Sequence, residues 1–325
     1  MSKISVGKRK YLVENLLLLD GITRSGKFLL ANIISSFSNI EPVQYYGLLE
    51  HIPFFEKFGL MDKDTSKELL QCEIDFHCYE TLIGRNLNHR KTDKSSIYHN
   101  PQSQSYIQRS GEKNIDLLLK NFHNKKPYSF FITHEILPHI NIYLEAFPKI
   151  KIIVIERNAI DLVYSWWRRG IGTRIGNDPI MFQIPLRNNN GPAAPWYAQS
   201  WGKKYHSLSE VDRIIFSIKT LKELYQKAYR KLTSEQRKKI LFIDYDNLLI
   251  NPDKVTEAIS SFLQLKKSST EIKNVLKKEH LPNSGSIKTR SARTEELRTV
   301  ASKKYLLYLL KLEKENASLE KFYNF

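Results

Sequence analysis

A short apolar segment followed by a glycine-rich loop is the feature that most constrains this chain. Residues 15 to 20 read NLLLLD, a continuous apolar run of strand length that ends where Gly21 begins the loop GITRSGKF. Runs of this kind are typical of strands that are buried on both faces of a parallel sheet. The next residues, FLLANIISSF, predict a helix that is apolar on most of its faces and packs against that sheet.

The alternation of strands and helices returns later in the chain. Apolar, β-rich runs predict strands at residues 127 to 133, 151 to 155 and 240 to 245, and helices are expected after Asn158, over about residues 205 to 232 and from Pro252. This order predicts an α/β fold with a central, mostly parallel β-sheet flanked by helices on both faces, as in P-loop nucleotide-binding proteins. Ligands of such sheets bind beyond the carboxyl ends of the strands.

We interpret residues 1 to 325 as a single domain with two unusual segments. Residues 41 to 126 predict an insertion of helices and long loops, and residues 170 to 202, rich in Gly, Pro and Asn, predict a lid loop. No apolar run reaches membrane-spanning length and no secretion signal is recognised, so we expect a cytoplasmic protein. Cys72 and Cys78 lack a second cysteine pair, which indicates neither a zinc site nor a disulfide framework.

The formal net charge of +17 is the one unusual bulk property. A strongly basic surface attracts polyanions of every kind, and nucleic acid is the first partner to consider. The lysines are spread along the chain, however, without a dense basic tail or an aromatic-interleaved recognition module. The pattern therefore favours an enzyme with an anionic cofactor or substrate over a protein that binds specific nucleic acid.

The loop over residues 21 to 28 fits the pattern GxxxxGK of a phosphate-binding loop between a strand and a helix. Its glycines allow a tight turn, and N–H groups at the helix start form an anion cradle to which Arg24 and Lys27 add positive charge. A magnesium-dependent kinase or nucleotide hydrolase needs Ser or Thr directly after the lysine. Because Phe28 stands there and cannot ligate magnesium, the sequence favours a donor whose group is transferred without a metal.

The segment TRSGKFLL resembles the 5′-phosphosulfate-binding loop of sulfotransferases that use 3′-phosphoadenosine 5′-phosphosulfate (PAPS). That loop is usually a Lys or Arg followed by SGTT, and here Lys27 and Phe28 replace the two threonines. The resemblance implies that the ammonium of Lys27 takes the place of a threonine hydroxyl. The residues that it assigns to the phosphosulfate are Arg24, Ser25, Gly26, Lys27, Phe28 and Leu29.

The segment RNAIDLVYS is similar to the 3′-phosphate motif of the same family. In that motif an Arg and a Ser eight residues later both bind the 3′-phosphate, and Arg157 and Ser165 have this spacing. An Arg at a strand end can donate two N–H groups to a phosphate. The simpler alternative is an arginine that caps a helix through Asp161, with Ser165 exposed.

The segment FITHEILPHI is similar to the part of the family that carries a catalytic histidine before a Leu-Pro pair, and His134 is the matching residue. A neutral histidine can take the proton of an acceptor hydroxyl. Glu135 is the competing base, and since neighbours on an extended chain point to opposite faces, we expect only one of the two to face the site. His77, His89 and His139 are weaker candidates without a motif.

The resemblance as a whole implies transfer of a sulfuryl group from PAPS to a hydroxyl or amine of an acceptor, without a metal. Arg24 is expected to stabilise the bridging oxygen as the bond to sulfur breaks. The insertion over residues 41 to 126 would lie on the acceptor side, and Lys288 and Arg290 are candidates to close over PAPS. A small molecule, a carbohydrate and a lipid remain open as acceptors, and the oligomeric state is undetermined. A P-loop kinase or hydrolase and a non-catalytic polyanion-binding protein are the alternative functions.

Overall fold

A computed structural model of the chain describes residues 4–93, 95–188, 191–266 and 269–322. Within these residues one sheet has five strands, all parallel, in the order β2-β3-β1-β4-β5. The strands are β1 (Asn15–Asp20), β2 (Gln44–Tyr45), β3 (Tyr128–Ile132), β4 (Lys151–Glu156) and β5 (Ile240–Asp244).

Helices cover both faces of the sheet. In chain order they are α1 (Lys27–Ile34), α2 (Leu48–Lys57), α3 (Lys63–Leu82), α4 (Ser103–Ser110), α5 (Ile115–Lys125), α6 (Asn141–Ala146), α7 (Ala159–Trp167), α8 (Ile171–Arg174), α9 (Gly202–Ser207), α10 (Glu210–Lys231), α11 (Ser234–Arg237), α12 (Tyr245–Ile250), α13 (Pro252–Leu263), α14 (Ser269–Lys278), α15 (Gly285–Lys288), α16 (Arg290–Val300) and α17 (Lys303–Phe322). The predicted α/β fold is confirmed, and its sheet is parallel throughout the described strands.

The sheet separates two apolar cores because successive strand residues point to opposite faces. Leu16 and Leu18 of β1 belong to the larger core, which includes residues of α3, α7 and α10. Leu17 and Leu19 belong to the smaller core with α1, α13 and α14. All four leucines have no exposed surface, which explains why β1 is a continuous apolar run.

One predicted helix is interrupted. The sequence predicts a single helix over about residues 205 to 232, but α9 ends at Ser207 and α10 begins at Glu210. Ser209 is extended and its hydroxyl accepts the backbone N–H of Asp212, which makes it an N-cap. The side-chain hydrogen bond at Ser209 therefore starts a new helix.

The segment over residues 41 to 126 contains β2, a short edge strand that the sequence does not predict, and α2 to α5. Leu49 of α2 and Leu70 of α3 are fully buried in the larger core, so these helices pack on the same core as the rest of the chain. No described helix is long and apolar enough to cross a membrane.

Candidate active site

The loop between β1 and α1 is held in a conformation that its glycines make possible. Gly26 has φ +104, and a Cβ atom at this position would collide with the ring of Tyr245. Arg24 has φ 74 although it is not glycine, which marks a strained backbone position of the kind found at functional sites. Because α1 begins at Lys27, its first N–H groups have no acceptor within the helix. The loop therefore presents backbone donors and a cation at one end of the sheet.

The two phosphate motifs of the sequence lie together in space. The Nη1 atom of Arg157 donates to the carbonyl oxygen of Arg24 at 2.9 Å, and the Nε atom of Arg24 donates to the Oγ atom of Ser165 at 3.4 Å. Arg157 follows β4, the neighbour of β1, and Ser165 lies on α7 directly after that strand. The side chain of Asn158 accepts the N–H of Ile160, so it caps α7 as predicted.

Arg24, Arg157 and Arg169 form a cluster of positive charge. Burial, followed by repulsion from Arg169 and Arg157, lowers the pKa of Arg24. None of the three has a carboxylate within 4.0 Å among the described residues. Arg157 packs its guanidinium over the ring of Tyr245 at 4.7 Å from the ring centre, which fixes its orientation. Cations held close together without acidic partners indicate a site for an anion.

Two buried polar atoms at this cluster have no hydrogen-bond partner among the described residues. They are the Nε atom of Arg157 and the Oγ atom of Ser25. Most buried polar groups of folded proteins are paired, so an orphan donor in a cation cluster indicates a missing ligand. The donor set of arginine N–H groups, a serine hydroxyl and backbone N–H groups fits phosphate and sulfate oxygens.

The sequence resemblance implies that the ammonium of Lys27 replaces a threonine hydroxyl at the anion cradle, but it lies elsewhere. Its Nζ atom is buried and donates to the carbonyl oxygens of Gly21 at 2.6 Å and Ile22 at 3.2 Å. Side chains of a helix lean toward its N-terminus, so a lysine in the first turn of α1 reaches back under the loop. Burial lowers the pKa of Lys27 to about 8. Lys27 therefore supports the loop from below.

Phe28 and Leu29 are the last two residues that the sequence assigns to the loop. Phe28 is 40% exposed, so its ring stands at the surface of the site. Leu29 is partly buried and packs against the smaller core. Only Phe28 of this pair offers its side chain to a ligand.

His134 follows β3 and lies beside a carboxyl group that sequence reasoning missed. The Oε1 atom of Glu50, on α2, accepts the backbone N–H of His134 at 2.7 Å and lies 2.8 Å from its Nδ1 atom. When the Glu50 carboxyl is ionised its oxygens only accept, so the ring hydrogen lies on Nδ1 and Nε2 is free to take a proton. Burial lowers the pKa of His134 to about 3 and raises the pKa of Glu50 to about 8.

Glu135 takes a different position from its neighbour His134. Its φ is +56, so the chain is not extended here, and both Glu135 and His134 line one small pocket, contrary to the expectation that only one of the two faces the site. The Oε1 atom of Glu135 accepts the backbone N–H of Thr23 at 2.7 Å, and Gln183 donates to Oε2 at 3.4 Å. Glu135 is 2% exposed, whereas the side chain of His134 is 20% exposed. Glu135 is therefore bound to the loop, and His134 is the more accessible of the two.

The remaining residues that the sequence offers as candidates form no hydrogen bond with the arginine cluster or His134 in the described structure. His77 pairs with Asn86, and His89 contacts Tyr98. Lys288 is exposed at the end of α15, whereas Arg290 donates to Asp161 at 2.9 Å and to Asp246 at 2.5 Å. Arg290 is therefore engaged in ion pairs that join α16 to α7 and α12.

Comparison of the sequence with family models identifies the family of this chain. The sequence profile described as "Sulfotransferase domain" matches residues 16–304, which is most of the chain. The chain belongs to the sulfotransferase family. No curated protein matches this sulfotransferase. Within its described residues, no group of three or more His, Cys, Asp or Glu side chains is placed to hold a metal ion.

Three solved structures with sulfotransferase titles resemble this chain at low identity. One is the sulfotransferase domain from the Synechococcus PCC 7002 olefin synthase, at 12% identity and TM-score 0.47, with 97% of this chain and 98% of that chain covered. A second is the sulfotransferase domain from the curacin biosynthetic pathway, at 12% identity and TM-score 0.43, with 80% and 77% covered. A third is sulfotransferase STF1 from Mycobacterium tuberculosis H37Rv, at 12% identity and TM-score 0.39, with 89% and 77% covered.

Proposed function

We propose that this sulfotransferase uses PAPS as its donor and transfers the sulfuryl group to a hydroxyl or amine. The observation that carries the proposal is the arginine cluster with its two orphan polar atoms, Arg157 Nε and Ser25 Oγ. PAPS has anionic groups at both ends of one adenosine. The loop over residues 24 to 29 would hold the 5′-phosphosulfate, and Arg157 with Ser165 would hold the 3′-phosphate.

The reaction needs a proton acceptor and a charge stabiliser. The acceptor oxygen or nitrogen forms a bond to sulfur, the bond between sulfur and the bridging oxygen breaks, and 3′-phosphoadenosine 5′-phosphate (PAP) leaves with the electron pair. Arg24 stabilises the charge that develops on the bridging oxygen, and loss of one such donor costs about 10² in rate. His134 takes the acceptor proton on Nε2.

The protonation state of His134 suits this role. Its pKa is low because the imidazole is buried and lies near the positive charge of Lys27. The ring is therefore neutral at neutral pH, which a base requires. A bound anion beside Arg24 favours the imidazolium and raises the pKa of His134. His134 would accordingly become a stronger base when the donor is present.

The two unusual segments fit the acceptor side in this proposal. Residues 41 to 126 supply Glu50, and residues 170 to 202 reach the site through Gln183, which donates to Glu135. The carbonyl oxygen of Phe182 lies 3.0 Å from the Nε2 atom of His51, so this segment also lies against α2. We propose that residues 170 to 202 form a lid over the acceptor.

Incubation with sulfur-labelled PAPS and a panel of acceptors, with and without a chelator, tests the proposed function. We expect label transfer that persists in chelator and is lost in Arg24→Ala and Arg157→Ala. Arg298→Ala is a matched control, because Arg298 is exposed on α16 and the one ion pair that it makes with a described residue is with Glu295 of its own helix. Label transfer that requires magnesium, or that survives both substitutions at the wild-type rate, would contradict the proposal.

A further inference from the structure

A cavity of about 370 Å³ lies beside the proposed reaction centre, on the side of β1 away from Arg157. Its walls come from α1, from residues 42 to 45, from Ile132 of β3, and from residues 85 to 88 and 95 to 100. Tyr45 lines the cavity and also contacts the proposed base, since its ring packs edge-on against the ring of His134 with centres 5.3 Å apart. Phe28, at the end of the loop over residues 21 to 28, also lines the cavity.

The position of the cavity separates it from the proposed donor. Arg157 and Ser165 follow β4, whereas the cavity lies along β3 and the edge strand β2, on the opposite side of β1. A donor that spans the loop and Arg157 extends away from the cavity. The cavity is therefore available to the acceptor while the donor is bound.

The walls of the cavity are polar and almost uncharged. Ten of its sixteen lining residues carry amide, hydroxyl or guanidinium groups, and none of the described ones is acidic. The single cationic side chain, Arg85, pairs with Glu80 at 3.0 Å. This chemistry suits a ligand with many neutral hydroxyl groups and does not suit an anion, an amine or a purely apolar phenol.

Two polar side chains of these walls lack a hydrogen-bond partner in the part of the chain that the structure describes. Ser35 lines the cavity, and its buried Oγ atom is one of them. Gln44 also lines it, and none of its side-chain atoms has a hydrogen bond among the described residues. Phe28 and Tyr45 add two aromatic faces that are 40% and 48% exposed. Hydroxyl-bonding groups beside exposed rings match the polar edges and the apolar C–H faces of sugar rings.

We propose that the acceptor is a neutral glycan, bound in this cavity with one of its hydroxyl groups presented to His134. The inference rests on the proposed function and specifies its acceptor. The glycan chain runs from the reaction centre along α1, from Phe28 toward Ser35. The product is a sulfate monoester of the glycan, and the proton of the reacting hydroxyl goes to His134.

An array of neutral glycans, probed with the full chain in the presence of PAP, identifies glycans for calorimetry. We expect Gln44→Ala and Ser35→Ala each to weaken glycan binding about five-fold, the effect of one neutral hydrogen bond, without changing the affinity for PAP. Gln104→Ala is the matched control, because Gln104 is exposed on α4 and does not line the cavity. Wild-type glycan affinity in both cavity variants would overturn the inference.

The same experiment separates failure of the inference from failure of the proposed function. A chain that binds PAP and sulfates a phenol or an amine, but binds no neutral glycan, contradicts the inference alone. A chain that binds glycans through Gln44 and Ser35 but does not bind PAP contradicts the proposed function and supports the glycan site.

Discussion

At the scale of single residues, Glu50 and His134 form the pair on which the proposed chemistry depends. One carboxyl oxygen fixes both the backbone and the ring of the histidine, at 2.7 and 2.8 Å. A hydrogen-bonded partner at one ring nitrogen decides which nitrogen is free. We therefore propose that Glu50 positions His134, the proposed base. It has no sequence signal, because α2 lies in a segment without a motif and the pairing arises only through tertiary contact.

Replacing Glu50 tests this pairing. Glu50→Ala should lower kcat about ten-fold or more, because the ring loses its orientation, while the KM for PAPS stays the same. Glu50→Gln keeps an acceptor oxygen and should recover part of the lost rate. Glu56→Ala on the same helix is the matched control. Steady-state kinetics across pH provide the measurement, and a wild-type kcat in Glu50→Ala would refute the positioning role.

His139 predicts a pH dependence of stability. It is buried against Trp196, and neither ring nitrogen has a hydrogen-bond partner within the described ranges. Burial lowers its pKa to about 3. The unfolded chain binds a proton at His139 below a pH of about 6.5, whereas the folded chain does not. Protonation therefore favours the unfolded state, and the free energy of unfolding decreases as pH falls. His139→Gln should therefore lose less stability than wild type on acidification, by up to about 1.4 kcal/mol per pH unit. Urea unfolding at pH 7 and pH 5 measures this, and parallel losses would contradict it.

At the scale of elements, the phosphate side of the site depends on contacts between helices far apart in sequence. Asp161 of α7 is fully buried and binds Arg290 at 2.9 Å and Arg293 at 2.5 Å, both on α16. Arg290 also reaches Asp246 of α12. These ion pairs hold α7, which carries Ser165, against α16. From the sequence, Asp161 enters only the alternative in which an arginine caps a helix through it, because Arg290 and Arg293 lie about 130 residues away.

Asp161→Ala should destabilise the protein by about 3 kcal/mol, because it leaves two partly buried arginines without their carboxylate. Glu295→Ala is a control from an exposed pair on α16 and should change stability by less than about 0.5 kcal/mol. Chemical denaturation at neutral pH measures both. Equal stabilities of the two variants would show that the network does not hold the helices together.

The strands illustrate what sequence patterns can and cannot predict. β1, β3, β4 and β5 are recognisable because each is an apolar run, and the residues after three of them meet at one end of the sheet as expected. β2 was missed because two residues carry no periodicity. The break before α10 was missed although Ser209, Glu210 and Asp212 give a helix-start signal. The direction of Lys27 depends on packing under the loop, which sequence patterns do not show.

At the scale of the whole molecule, the net charge of +17 and the arginine cluster act together. A basic surface raises the local concentration of an anionic donor, and salt weakens this effect. In the proposed function the arginine cluster then supplies the specific contacts to the donor. The roles of the insertion and the lid, the cytoplasmic location and the absence of a metal requirement stay predictions.

Calorimetry of PAP and adenosine 5′-phosphate tests the central claim most directly. The claim is that one adenosine is held at both ends, by the loop over residues 24 to 29 and by Arg157 with Ser165. The wild-type chain should bind PAP about 10²-fold more tightly than adenosine 5′-phosphate, since hydrogen bonds to charged groups contribute about 1.5–3 kcal/mol each. Arg157→Ala should lose most of that preference and Arg298→Ala should keep it. Equal affinity of the wild-type chain for the two nucleotides would contradict the account.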